Sequence, residues 1–124
     1  MKKKRILILE HVESYVENDK ELLKKNGFKT FALKKNDHLS KGEWTEKIKN
    51  FVSKNQIDLI FADTGFHFNI VEILKEVKVK VLYLSYLGKK YKERQGKSLP
   101  KPWLTREDLM SGSKKLIEEI KKLL

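Results

Sequence analysis

The sequence predicts a single α/β domain, residues 1–124, in which helices cover both faces of a parallel β-sheet. Three observations support this prediction. Short, nearly continuous apolar runs alternate along the chain with segments of helical periodicity, as βαβ units require. A length of 124 residues suits one hydrophobic core, and no repeat or linker divides it. Hydrophobic residues make up 40% of the chain, which is typical of a packed globule.

The first part of the chain predicts a strand, a helix and a second strand. Residues 5–10, RILILE, form a short apolar run, as expected for a strand that is buried on both faces of a parallel sheet. A polar helix over residues 17–26 follows, and Gly27 closes it because glycine readily adopts the left-handed cap conformation. Residues 28–33, FKTFAL, then form the second strand.

The middle of the chain repeats this alternation twice. Apolar residues at helical spacing predict a second helix over residues 43–54 and a third helix that begins near Ile70. Residues 57–63, IDLIFAD, form the third strand, and residues 79–85, VKVLYLS, form the fourth. The last helix is predicted to begin at Thr105, whose hydroxyl group can cap the backbone of the first turn.

Charge and composition restrict the function classes. The formal net charge of +11 raises the question of a nucleic-acid partner. The lysines are dispersed over predicted helix surfaces without a helix-turn-helix, zinc-finger or aromatic RNP pattern, so we do not expect nucleic acid. The absence of cysteine excludes disulfide bonds, thiolate metal sites and a cysteine nucleophile. No apolar run reaches the length of a membrane span, and we expect a cytoplasmic protein.

Polar side chains are found where the predicted strands end. Glu10 and His11 follow the first strand, and Asp63 ends the third. Ser85 ends the fourth strand, and we expect Lys101 at the end of a fifth. Ligand sites of parallel α/β sheets lie beyond this edge, near the point where the strand order reverses. Carboxylate, hydroxyl and ammonium groups gathered there are suited to handling a phosphoryl group.

The order of these residues resembles that in the receiver domains of response regulators from two-component signalling. The resemblance spans nearly the whole chain in the segments ILILEH, DLIFAD, VLYLS and LPKPWLTREDL. In that family the first strand ends in an acidic pair, the third in the aspartate that accepts phosphate, the fourth in Ser or Thr, and the fifth in a Lys-Pro-aromatic motif. The resemblance implies a flavodoxin-like three-layer sandwich with five parallel strands in the order 2-1-3-4-5.

The resemblance also implies a role for each residue. Asp63 would be the phosphoacceptor, and Lys101 and Ser85 would contact the phosphoryl group. A Mg²⁺ ion would be bound by Glu10, Asp63 and the backbone carbonyl group of Gly65. A histidine kinase or a phosphotransfer protein would supply the phosphoryl group, and an unknown downstream protein would receive the signal by contact.

The sequence departs from the family pattern around the expected metal site. His11 stands in the second acidic position, where imidazole is a poor ligand for Mg²⁺ but suits softer divalent ions, so another divalent cation is an alternative. Glu13, two residues further on, is an alternative ligand to His11. Tyr86 and Trp103 are candidates for a switch or gate residue, and Trp103 is also expected to pack against the start of the last helix.

The segment between the fourth and fifth strands is shorter than in the family. Only 12 residues separate Ser85 from Ser98, which predicts that the fourth helix is reduced to a turn or missing. Basic and aromatic side chains in this segment predict an altered partner surface, for which an ordinary solvated loop is the alternative. They are Lys89, Lys90, Tyr91, Lys92 and Arg94.

Three function classes remain open from the sequence. The first is a stand-alone receiver phosphorylated on Asp63, whose only catalysis would be phosphoryl transfer to and from its own carboxylate. The second is a pseudo-receiver, an interaction module that is not phosphorylated because its acidic pair is degraded. The third is a basic nucleic-acid-binding protein on the same fold. Asp63 as a plain strand cap and His11 as a strand-end residue held by a neighbouring group are the structural alternatives.

Overall fold

The computed structural model describes five strands and four helices in residues 3–36, 38–67, 69–85, 100, 103–105 and 114–124. The strands are β1 Arg5–Leu9, β2 Lys29–Ala32, β3 Leu59–Asp63, β4 Lys80–Ser85 and β5 Trp103–Thr105. The helices are α1 Glu13–Lys25, α2 Lys41–Asn55, α3 Ile70–Lys75 and α4 Lys114–Leu123. None of these helices is both long enough and apolar enough to span a membrane.

The five strands form one parallel sheet in the order β2-β1-β3-β4-β5, which confirms the predicted flavodoxin-like topology. β1 pairs with β2 on one side and with β3 on the other, so the strand order reverses between β1 and β3. Leu9 of β1 is the register partner of Ala62 of β3. The next residues along the two strands, Glu10 and Asp63, are therefore at the same level at the carboxyl edge of the sheet.

Helices cover both faces of the sheet, as predicted. Successive residues of a strand point to opposite faces, and β1 follows this rule. Leu7 and Leu9 belong to a hydrophobic cluster that includes residues of α2 and α3. Ile6 and Ile8 belong to a second cluster that includes residues of α1 and α4. All four residues are fully buried, so β1 is fixed from both sides up to the point where its polar end begins.

Helix α1 begins at Glu13 rather than at residue 17. Its first turn, ESYV, is mostly polar and exposed, so it adds little to the apolar pattern by which a helix is recognised. The carbonyl group of Val12 accepts two hydrogen bonds from this first turn. At the other end Gly27 has a φ angle of 87°, which confirms the predicted left-handed cap.

Helix α2 begins with a capping box. The Ser40 hydroxyl group accepts a hydrogen bond from the Glu43 N–H at 3.2 Å, and the Glu43 carboxylate accepts one from the Ser40 N–H at 3.3 Å. In the next position Trp44 is buried against Phe66, with 4.9 Å between the ring centroids. Because Phe66 lies in the loop that follows β3, helix α2 supports that loop.

The fifth strand consists of three described residues, Trp103–Thr105. Lys101, which was expected to end this strand, lies outside the described residues, as do residues 106–113, where a helix capped by Thr105 was expected to begin. Thr105 ends β5 and is the register partner of Ser85, whereas Lys101 comes two residues before the strand begins.

Two further expectations concern this part of the chain. Trp103 is a half-buried residue of β5 that packs against the cluster of α2 and α3, while residues 106–113, where the last helix was expected to begin, lie outside the described residues. The fourth helix in chain order, α4, is present and has 10 residues. The predicted reduction of the helix between β4 and β5 concerns residues 86–99, which lie outside the described residues.

Replacement of Ser40 by alanine should lower the free energy of unfolding by about 1 kcal/mol, because the capping hydrogen bond to Glu43 is lost. Urea denaturation measures this change. Ser53→Ala is the matched control, since Ser53 is an exposed residue near the carboxyl end of the same helix. An equal cost for the two substitutions would contradict the role of the capping box in fixing α2.

Candidate functional site

Glu10 places a buried carboxylate at the carboxyl end of β1. This residue is 4% exposed, although it directly follows the last strand position. Its Oε1 atom accepts hydrogen bonds from the backbone N–H groups of His11, at 2.9 Å, and Val12, at 3.2 Å. A buried carboxylate is costly unless donors replace its hydration, and the turn between β1 and α1 provides two of them.

Asp63 places a second buried carboxylate beside the first. It is the last residue of β3 and is 2% exposed. Its Oδ1 atom accepts a hydrogen bond from the Gly65 N–H at 2.6 Å, and its carbonyl oxygen accepts one from the Phe66 N–H at 3.0 Å. The turn after β3 therefore holds both the side chain and the backbone of this aspartate.

The imidazole ring of His11 lies against both carboxylates. Its Nδ1 atom is 3.0 Å from Oε1 of Glu10 and 3.7 Å from Oδ1 of Asp63. One ligand atom from each of these three residues lies within 4.8 Å of the other two. The structure therefore brings the predicted site residues at the ends of the first and third strands together.

Gly65 provides the space that the imidazole ring occupies. A Cβ atom on Gly65 would lie 2.5 Å from Cε1 of His11 and 2.6 Å from its Nδ1 atom, and 3.0 Å from Oδ1 of Asp63. Real Cβ atoms do not approach other atoms so closely. A glycine is required here by the close approach of the imidazole ring, and not by the backbone conformation.

The donor set does not suit Mg²⁺. This ion prefers an octahedron of oxygen ligands, whereas the group consists of one imidazole nitrogen and the oxygen atoms of Glu10 and Asp63. Such a mixed set is typical of softer divalent ions. Glu13, the alternative ligand, is exposed at the start of α1 and does not belong to this group.

The carbonyl group of Gly65, predicted as a metal ligand, faces an ammonium group. Nζ of Lys35 lies 3.5 Å from this oxygen. Lys35 follows β2, the strand beside β1, so it approaches the site from the side opposite to β4. The sequence pattern did not single it out, because Lys34 and Lys35 resemble the other lysine pairs of the solvated surface. The sequence feature that could have identified Lys35 as a site residue is its position shortly after the second strand.

A cleft opens beside Glu10 and His11 on the side of β2. Its volume is about 280 Å³. Its apolar floor lies between acidic residues from the start of α1 and basic residues that follow β2. The lining residues are Glu10, His11, Glu13, Val16, Glu17, Ala32, Leu33, Lys34 and Lys35.

The remaining predicted site residues divide into two groups. Ser85 ends β4 and is 1% exposed, and Asp63 is the register partner of the residue before it, so both residues belong to the same edge of the sheet. The other predicted site and surface residues lie outside the described part of the chain. They are Tyr86, Lys89, Lys90, Tyr91, Lys92, Arg94 and Lys101.

A solved structure supports the fold that the topology indicates. The chain is similar to the signal receiver domain of a protein described as a Luxo repressor from Vibrio parahaemolyticus, with a TM-score of 0.60. The fold is receiver-like. The match covers 98% of this chain and 93% of that one, and the sequence identity of 12% limits the likeness to the fold. No protein-family model matches the chain, and no curated protein matches its sequence.

Replacement of Gly65 by alanine should lower the free energy of unfolding by about 1 to 3 kcal/mol, because the new methyl group collides with the imidazole ring. The cost should fall in a His11→Ala background, where that ring is absent, and a double-mutant cycle measured by urea denaturation quantifies the difference. Gly42→Ala is the control, since a Cβ atom there meets no atom within 4 Å. Equal costs in both backgrounds would contradict the close packing of His11 on Gly65.

Proposed function

We propose that this chain is a receiver module that accepts a phosphoryl group on Asp63 and transmits a signal by protein–protein contact. The observation that supports this most strongly is the buried carboxylate of Asp63 at the point where the strand order of a receiver-like fold reverses, next to a second buried carboxylate. Ligands of open α/β sheets bind at such points. Burial of a carboxylate that only capped a strand would be costly.

The proposed reaction is a phosphoryl transfer from a phosphohistidine. A carboxylate oxygen of Asp63 attacks phosphorus in line with the bond to the donor imidazole. The new O–P bond gives an acyl phosphate, while the P–N bond breaks and its electron pair stays on the departing nitrogen. The hydrogen bond from the Gly65 N–H to Oδ1 orients the carboxylate, and the Ser85 hydroxyl group donates to an oxygen of the transferred group.

The partners of this reaction follow from its chemistry. A histidine kinase or a phosphotransfer protein presents the phosphohistidine, in the cytoplasm, and a downstream protein recognises the phosphorylated form. A divalent ion of the softer class fits the donor set of Glu10, His11 and Asp63 better than Mg²⁺ does. When bound, such an ion would supply positive charge to the phosphoryl oxygens.

A second candidate function is a pseudo-receiver that signals without phosphorylation. The position of the His11 ring favours it, because this ring contacts both carboxylates on the edge where an incoming phosphoryl group would need space. In this case the receiver-like fold would serve as a protein-binding scaffold, and Asp63 would be held permanently by His11 and Gly65.

Incubation with phosphoramidate or acetyl phosphate should add one phosphoryl group to the chain, and the Asp63→Asn variant should not gain it. Intact-mass spectrometry measures the product, with EDTA, Mg²⁺ or Mn²⁺ present in separate reactions. Asp58→Asn is the matched control. Asp58 directly precedes β3 at the opposite edge of the sheet, where its Oδ2 atom accepts a hydrogen bond from the Arg5 N–H at 2.8 Å.

The control should be phosphorylated as the unaltered protein is, because an asparagine oxygen can still accept that hydrogen bond. Phosphorylation of the Asp63→Asn variant would show that another residue accepts the phosphoryl group, and this would contradict the proposal. A folded protein that gains no phosphoryl group under any of the three conditions would contradict it as well, and would leave the pseudo-receiver.

A further inference from the structure

We propose that Lys35 supplies the positive charge that receiver sites otherwise take from Mg²⁺, so that Asp63 reacts without this ion. The proposal rests on phosphorylation of Asp63 as its context. The observation that supports it is independent of that reaction. It is the position of the Lys35 ammonium group beside the carbonyl oxygen of Gly65.

The first step is the position of the ammonium group. Nζ of Lys35 lies 3.5 Å from the carbonyl oxygen of Gly65, and the N–H of that same residue donates to Asp63. The ammonium group therefore lies at the turn that carries the acceptor aspartate. An Mg²⁺ ion that used this carbonyl oxygen would have to displace the ammonium group, since two cations at one oxygen atom repel each other.

The second step is the space between the carboxylates. The imidazole ring of His11 lies 3.0 Å from Glu10 and 3.7 Å from Asp63, and it packs so closely on Gly65 that even a methyl group would not fit. The ring thus stands among three of the groups that would have to surround Mg²⁺. It offers that ion one nitrogen atom in place of oxygen.

The third step is the supply of charge for phosphoryl transfer. The developing negative charge on the phosphoryl oxygens requires cations nearby. Among the residues that line the cleft beside Glu10, Lys34 and Lys35 are the lysines, and Lys35 is the one whose ammonium group reaches the turn after β3. Its side chain is exposed and flexible, so it can move from the carbonyl oxygen to an entering phosphoryl group.

Mg²⁺ binding tests the first two steps without reference to phosphorylation. Trp44 packs edge-to-face against Phe66 in the turn after Asp63, so its fluorescence should report on the site, and Trp103→Phe removes the other tryptophan. The Trp103→Phe protein should show no fluorescence change at millimolar Mg²⁺. When His11→Asp and Lys35→Met are introduced into the Trp103→Phe protein, Mg²⁺ should cause a saturable fluorescence change that EDTA reverses. The reason is that the acidic pair is completed and the competing ammonium group is removed.

Phosphorylation rates test the third step. With phosphoramidate and EDTA, the unaltered protein should gain its phosphoryl group as fast as with Mg²⁺. Lys35→Met should lower that rate about tenfold, which is less than the loss of a fully buried donor because Lys35 is exposed. Lys35→Arg should retain most of the rate, and Lys34→Met, the matched control in the same cleft, should leave it unchanged.

Three results would overturn the inference. The first is saturable Mg²⁺ binding by the Trp103→Phe protein, and the second is a phosphorylation rate that EDTA abolishes. The third is an equal rate for Lys35→Met and Lys34→Met when thermal unfolding shows both to be folded. If no variant is phosphorylated at all, the proposed function fails, while the Mg²⁺ titrations still decide whether His11 and Lys35 exclude the ion.

Discussion

The burial of two carboxylates at one edge of the sheet is the constraint on which the whole site depends. Glu10 and Asp63 are 4% and 2% exposed, and their ligand atoms lie within 4.8 Å of each other. Two carboxylates no more than 4.8 Å apart would repel by at least about 3.5 kcal/mol at an effective dielectric constant of about 20 when both carry their charge. Repulsion of this size is a large fraction of the stability of an ordinary domain, so the surrounding groups must offset it.

The parallel sheet provides that compensation through the turns that follow its strands. After the last paired residue of β1, the N–H groups of His11 and Val12 point back to the carboxylate of Glu10. After β3, the N–H of Gly65 does the same for Asp63. These donors are fixed by the backbone, so they cost little side-chain entropy. The register between β1 and β3 thus determines both the proximity of the charges and the means of stabilising them.

The sequence predicted the parts of this arrangement that repeat a simple pattern. Continuous apolar runs identify strands buried on both faces, and the polar residue after each run marks the edge of the sheet, which is why Glu10 and Asp63 were found. The fifth strand lacks such a run, and its motif was assigned by resemblance to the segment around Lys101. The structure describes β5 as Trp103–Thr105, directly after the Lys-Pro pair in the chain, and the position of Lys101 stays a prediction.

Contacts between loops could not be predicted from the sequence, because they leave no periodic pattern of residues. Lys35 looks like any other surface lysine in the sequence, because its contact with the carbonyl group of Gly65 joins two loops 30 residues apart. The ring of His11 was expected either to bind a metal or to be held by a neighbouring group. It contacts both carboxylates because Gly65 leaves space beside them, and that space depends on the turn after β3.

The balance of charge at this edge decides what phosphorylation would do to the molecule. A phosphoryl group carries up to two negative charges, which one ammonium group offsets only in part, whereas a divalent ion offsets both. A site that relies on Lys35 would therefore retain net repulsion after transfer. The hydrogen bond between Lys35 and Gly65 joins the turn after β3 to the segment after β2. Movement of the ammonium group to the phosphoryl oxygens would break that contact, so the chemistry at Asp63 would change how these two loops are held.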